Sequence, residues 1–187
     1  MKSSLTILTR ALIPLLLAGS AHAAANSTMP DNWYLGLSGD ITWMRNSDTG
    51  GGGNVELGYH LNRDFRLEGE VGYHDADGHD GYGEEHYYTY MGNLLYDFNG
   101  AFSSNSSGWR VVPYVGGGIG DAQIHNGDGV SSASRNNNSF AYQGMAGLTL
   151  VSSAAPNTDW SLGYRYQGTD TDDPHANNVE LGVRVHF

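Results

Sequence analysis

The chain has 187 residues with 9 basic against 20 acidic side chains, a net charge of −11, and no cysteine. That balance is expected to repel nucleic acid and to offer no basic patch for phosphates, and the missing cysteines exclude a disulfide framework and thiol chemistry. Mean hydropathy is −0.41, which resembles a soluble protein until the residues are taken in order, because alternating apolar and polar positions cancel in an average.

The first element is an export signal. Lys2 and Arg10 precede an apolar run at Ala11–Leu17, and Ala21-His22-Ala23 follows with the small residues of a cleavage site. A secretory signal peptide over residues 1–23 is therefore expected, with residues 24–187 as one domain. The run is too short for a membrane-spanning helix and contains Pro14.

Beyond residue 23 the repeat is two residues throughout. Trp33, Leu35, Leu37, Ile41 and Trp43 share one face of a first strand, opposite Tyr34, Gly36, Ser38, Asp40 and Thr42. Val55, Leu57, Tyr59 and Leu61 alternate with Glu56, Gly58 and His60. Phe65, Leu67, Val71 and Tyr73 alternate with Arg66, Glu68, Glu70 and Gly72. A fourth segment has Tyr88, Tyr90, Leu94, Tyr96 and Phe98 on one face, with Tyr87, Met91 and Leu95 blurring the other. Trp109, Val111, Val115 and Ile119 oppose Arg110, Tyr114, Gly116 and Gly118. Phe140, Tyr142, Ala146, Leu148 and Leu150 oppose Gln143, Gly147 and Thr149. Trp160, Leu162, Tyr164 and Tyr166 alternate with Ser161, Gly163, Arg165 and Gln167. Val179, Leu181, Val183, Val185 and Phe187 oppose Glu180, Gly182, Arg184 and His186.

Segments of about ten residues suit strands that cross a bilayer at a tilt. The expected fold is all-β, an eight-stranded antiparallel transmembrane β-barrel with up-and-down meander connections. The connections after segments two, four and six are Asn62–Asp64, Asn99–Gly108 and Ser152–Thr158. Those after one, three, five and seven are rich in Gly, Asp and Asn and mostly longer. Short periplasmic turns and long outer loops would produce this asymmetry.

Three features point the apolar face toward lipid. Aromatic residues sort to the two ends: Trp33, Phe65, Tyr96, Phe98, Trp109, Trp160 and Phe187 at one, and Trp43, Tyr73, Tyr88, Tyr90, Phe140, Tyr142 and Tyr166 at the other. The polar face carries Arg66, Arg110, Arg165 and Arg184 against Glu56, Glu68, Glu70 and Glu180, a balance that a narrow lumen requires. Small residues such as Gly36, Gly58, Gly72, Gly116, Gly118, Gly163 and Gly182 would make room there for guanidinium groups. Arg165 and Glu180, on neighbouring strands, are the first expected pair. Phe187 closes an alternating last strand, which resembles the signal that hands such barrels to their assembly machinery.

Pro113-Tyr114-Val115-Gly116-Gly117-Gly118-Ile119-Gly120 resembles the PYVGxGxG segment of the OmpA-like and opacity-like eight-stranded porin families. With the alternation and the last strand, the resemblance covers essentially residues 24–187. It implies a bacterial cell outer-membrane location and a fold shared by adhesins, structural proteins and feebly conducting pores. No peptidoglycan-binding domain is expected after Phe187. Pro113 lacks an N–H and points to a bulge or a late strand start.

Chemistry is sparse. Barrel enzymes that act on lipid A use Ser and His, yet none of His60, His74, His79, His86, His125, His175 or His186 stands in an H-x-S arrangement. Ser131, Ser132, Ser134 and Ser139 fall in a Gly/Asn-rich loop. Asp75, Asp77, Asp80, Glu84, Glu85 and His86 offer oxygens for a hard cation, but their spacing does not fit an EF-hand. That cluster and Asp170/Asp172/Asp173/His175 are read as solvated loop tips. No catalytic residue, metal site or cofactor is expected. The expected partners are outer-membrane lipids and lipopolysaccharide, with divalent cations bridging acidic loops and lipid phosphates. An extracellular partner on the loops is possible in this fold, and the barrel is expected to be a monomer. The role is envelope-structural or surface-interacting, with a small, weakly conducting diffusion pore as the alternative and a lipid A-modifying enzyme as the lesser one.

Intact mass or N-terminal sequencing of protein from the outer-membrane fraction should report a start close to Ala24. A mature chain that retains Lys2 and Arg10 would contradict export by this signal.

Overall fold

The computed structural model describes residues 32–44, 49–76, 85–99, 108–126, 137–170 and 175–187. Eight strands run β1 (Trp33–Met44), β2 (Gly50–His60), β3 (Phe65–Ala76), β4 (Glu85–Asp97), β5 (Trp109–Asn126), β6 (Asn137–Ser152), β7 (Ala155–Thr169) and β8 (Ala176–His186). Each pairs antiparallel with its neighbours in chain order, and β1 pairs with β8, so the sheet is a closed meander barrel. The expected fold class is the observed one.

Alternation decides which way each side chain points. On β3, Phe65, Leu67, Val71 and Tyr73 are exposed while Arg66, Glu68, Glu70 and His74 are buried. On β8, Val179 and Leu181 face out and Asn178 and Glu180 face in. The outer wall is a band of aliphatic residues left about half exposed, including Leu35 at 52%, Leu57 at 48% and Ile119 at 63%. Water would not tolerate so large a contiguous apolar surface. Aromatic residues bound the band at both ends. Trp33 packs on Tyr59 at 4.9 Å and Phe65 on Tyr96 at 5.0 Å at one end, with Tyr73 on Tyr88 at 5.2 Å at the other.

The chain enters β1 and leaves β8 at one end, called here the turn end, which also holds the connections after β2, β4 and β6. The connections after β1, β3, β5 and β7 lie at the opposite, loop end. Asn62 shapes the first turn by accepting hydrogen bonds at Oδ1 from the backbone N–H groups of Asp64 and Phe65, both at 2.9 Å.

Several boundaries differ from the sequence reading. The β6–β7 connection shrinks to Ser153-Ala154, because β7 already begins at Ala155 and a register shift between Val151 and Ser152 absorbs the irregularity. Pro156, Asn157 and Thr158 are turn-forming residue types, yet they extend a strand. β2 starts at Gly50, five residues before Val55, and its glycines pair with β1 and β3. β5 and β6 continue past the loop-end aromatics to Asn126 and back from Asn137. Backbone pairing above a membrane needs no apolar face, so alternation does not mark it. The Pro113 carbonyl accepts from Phe98 N–H at 2.8 Å, and β4–β5 pairing begins one residue later at Asp97↔Tyr114. β5 itself starts at Trp109 and pairs with β6 without a shift through Pro113↔Leu148, so the expected bulge or late strand start is absent and the missing N–H limits only the pairing with β4.

Leu181, paired between Gly39 and Leu162 in mid-strand, is a direct test of the wall. Leu181→Arg should lower the free energy of folding into phospholipid vesicles by roughly 2–4 kcal/mol. A change within about 0.5 kcal/mol, typical of a water-exposed site, would put the apolar face in water.

Candidate functional site

The inward residues enclose a polar interior that is the only place among the described residues where charged side chains gather in quantity. From the turn end, the first full layer holds Tyr34 of β1, Arg66 and Glu68 of β3, Tyr114 of β5, Thr149 of β6 and Arg184 of β8. Tyr34 donates its hydroxyl to Glu68 at 2.5 Å. Arg66, 1% exposed, meets Glu68 and Asp97, each at 3.3 Å. The guanidinium of Arg66 lies 5.9 Å from the Tyr34 ring centre and 5.1 Å from that of Tyr114. Arg184 lies 5.8 Å from both rings and donates to Thr149 Oγ1 at 3.0 Å. Two arginines thus share two aromatic faces, an arrangement that favours cations removed from water.

The middle layer centres on Arg165 of β7, 2% exposed. It pairs with Glu70 across the lumen and with Glu180 on the adjacent strand at 2.8 Å. Asn93 donates to Glu70 at 3.1 Å, Gln143 donates to Asn93 at 2.7 Å, and Gln167 donates to Gln143 at 3.1 Å. Ser38 donates to Glu56 at 3.1 Å. Nearer the loop end, Asp40 accepts from Thr42 at 2.9 Å and faces His74 at 3.5 Å. The expected Arg165–Glu180 pair is present.

Three details of the sequence reading need correction. The charges do not balance four to four: buried carboxylates are Asp40, Glu56, Glu68, Glu70, Asp97, Asp159 and Glu180, against Arg66, Arg165 and Arg184. Arg110 is exposed at the turn-end mouth, where it reaches Asn99 Oδ1 at 3.4 Å, because β5 begins only one residue earlier. Nor do the glycines mainly make room for guanidinium groups. A Cβ on Gly58 would sit 1.9 Å from the Tyr34 ring, one on Gly163 2.4 Å from the Tyr114 hydroxyl, and one on Gly118 1.8 Å from Asn93. Glycine here admits the tyrosine rings and an amide, and only Gly36 lies beside an arginine stem, at 3.2 Å from Arg184 Cγ.

Asp97 and His74 went unassigned in the sequence. Asp97 shares its parity with Met91, Asn93 and Leu95, all buried, so the apolar residues that blurred β4 in fact mark its inner face. Residues 1–23, Asp77, Asp80 and Glu84, the serines 131, 132 and 134, and Asp172 and Asp173 lie outside the described residues. Asp75 and His86 occupy paired positions of β3 and β4, Ser139 is buried in β6, and exposed His175 stacks on Tyr166 at 5.4 Å.

The comparisons place this architecture. The family described as "Outer membrane protein beta-barrel domain" matches residues 11–187. The chain belongs to that outer-membrane family. Its location is therefore the cell outer membrane, as the lipid-facing wall requires. Among solved structures, Neisserial surface protein A is similar at 21% identity, covering 83% of this chain and 97% of that one, with a TM-score of 0.62. Ail, the attachment invasion locus protein of Yersinia pestis, is 17% identical, covering 83% and 97%, with a TM-score of 0.47. The outer membrane enzyme PagL is 15% identical, covering 80% and 98%, with a TM-score of 0.46. The likeness to Neisserial surface protein A shows the fold alone. No curated protein sequence matches the chain.

Within this family member, Arg165 is the side chain on which the lumen turns. Arg165→Ala would strand Glu70 and Glu180 together and should cost roughly 3–5 kcal/mol in urea-dependent folding into vesicles. Combining Arg165→Met with Glu70→Gln and Glu180→Gln should recover most of that loss, since no unpaired charge is left. An Arg165→Ala barrel as stable as the parent would show that the three groups are not coupled.

Proposed function

We propose that the chain is a closed, non-conducting membrane scaffold that acts at the cell surface through its four loop-end connections. The observation that carries this is the filled lumen. Arg165, Glu70, Glu180, Asn93 and Gln143 come from five strands and meet in mid-barrel with almost no exposure. An eight-stranded barrel is only wide enough for its own side chains, and these are fixed to one another by ion pairs and hydrogen bonds. A diffusion pore needs a continuous path of water, which this cluster interrupts.

The loop end is the outer end on this reading. The turns Leu61–Asp64 and Ser153-Ala154 are short, as periplasmic turns are, whereas the opposite connections are mostly longer and polar. Partner choice in such a fold resides in loops carried by a rigid frame. The protein acts as a monomer in contact with outer-membrane lipid and lipopolysaccharide. It is not an enzyme, a reading supported by the lack of any H-x-S arrangement among its histidines.

Planar bilayers containing the refolded barrel should show no unitary conductance steps, and cells that display it should lose surface binding to host matrix when residues 77–84 or 127–136 are deleted. Regular conductance steps would favour the small pore, and binding indifferent to both deletions would remove the loops from the function.

A further inference from the structure

The turn-end mouth contains a cavity of about 390 Å³ that no part of the scaffold role uses. Arg63, Arg66, Arg110 and Arg184 line it, four of the seven arginines that follow residue 23 in a chain of net charge −11, so folding gathers a basic patch where the overall charge led to the expectation of none. Two carboxylates, Asp97 and Asp159, share the lining, and both are already engaged. Asp97 meets Arg66 at 3.3 Å, and Asp159 meets His186 Nε2 at 2.8 Å.

What remains is cationic. Asp159 is the cross-strand neighbour of Arg184 yet turns to His186 instead. Arg184 is 5% exposed, lies between two tyrosine rings, and has one hydroxyl partner. Among the described residues no carboxylate pairs with it, although the lumen holds more buried carboxylates than arginines. A guanidinium taken out of water with no anion is the costly state of such a group. Arg110 is exposed with a single 3.4 Å contact to Asn99. The rings of His60 and His186 stack at 5.6 Å across the rim.

We propose that this mouth binds a soluble phosphate-class oxyanion, held by Arg184 from within and by Arg110 and Arg63 at the rim. One bidentate arginine saturates a carboxylate, whereas three guanidinium groups around one space suit a group with three or more acceptor oxygens. The cavity is lined by inward side chains and by the exposed rim residues Arg63, Arg110, Pro156 and Asn157, and by none of the aliphatic residues of the lipid-facing wall. A free anion therefore fits better than a lipid headgroup, and the volume leaves room for more than the oxyanion itself.

The test is titration of the barrel, refolded in octyl glucoside micelles, with inorganic phosphate and pyrophosphate, read by calorimetry and by arginine side-chain NMR. Saturable binding that shifts the Arg184 and Arg110 signals is the expected result, with acetate at equal ionic strength giving none. Arg110→Gln and Arg63→Gln stand at exposed positions and keep the fold, and Arg110→Gln should weaken pyrophosphate binding about tenfold, the worth of one charge-assisted hydrogen bond. Arg184→Met should abolish it, with folding checked by circular dichroism. No saturable binding, an equal response to acetate, or unchanged affinity in both exposed variants would overturn the site. Micelles doped with phosphatidylglycerol separate the two sources of phosphate: competition with pyrophosphate would overturn the soluble ligand in favour of a headgroup.

Discussion

β1 and β8 pair from Tyr34↔His186 to Met44↔Ala176, and this seam leaves none of the eight strands with a free edge. In hydrocarbon an unpaired backbone N–H or carbonyl costs several kcal/mol, so closure is a condition for spanning the membrane rather than an embellishment of the sheet. Closure at eight strands also sets the diameter, and with it a lumen that side chains fill. Every inward residue must then find its partner among other inward residues. The outer wall has no such demand, and any aliphatic side chain serves there.

That difference explains the chemistry of the two faces. The seven buried carboxylates have only three buried arginines to meet, so arginines bridge. Arg165 joins β7 to Glu70 on β3 and Glu180 on β8, and Arg66 joins Glu68 to Asp97 on β4. Hydroxyl and amide donors from Ser38, Thr42 and Asn93 cover other acceptor oxygens, and Tyr34 shares Glu68 Oε1 with Arg66. Links across the lumen also hold register. A one-residue slip of β7 would turn Arg165 into lipid and Leu162 into the ion-pair cluster, so the network stabilises a single alignment of the strands.

The wall was legible in the sequence because lipid imposes one rule at every second residue, and the rule survives in Leu35, Leu57, Leu67 and Leu181 alike. Where that rule lapses, legibility lapses too. Gly50–Gly53, Gly120–Asn126 and Ala155–Asn157 are paired backbone at or beyond the aromatic belts, and their composition reads as loop. The lumen was half legible. Alternation assigned Arg66, Glu68, Glu70, Arg165 and Glu180 to the interior, and the neighbouring strands of Arg165 and Glu180 were enough to pair them. Their other partners depend on which strands face each other across the barrel, a property of closure that no local pattern encodes. Arg110 shows the same limit: its parity is inward, but its height on β5 leaves it at the mouth.

The filled middle makes the two ends of the barrel separate surfaces. Arginine gathers at the turn-end mouth, whereas the stretches Asp75–Glu85 and Asp170–Asn177 at the other end are acidic. The apolar band between them is about 25 Å tall in barrels of this kind. Charges in solution are screened over about 8 Å at physiological salt, so neither end senses the other through the surrounding water. Direct coupling through the lumen would have to pass Arg165, which is held between Glu70 and Glu180. An anion bound at the arginine mouth, as proposed, would meet that ion-pair cluster before it could cross. Opposite charge at the two ends of the barrel therefore agrees with the proposed pair of binding faces, one on each side of the membrane, better than with a conduit.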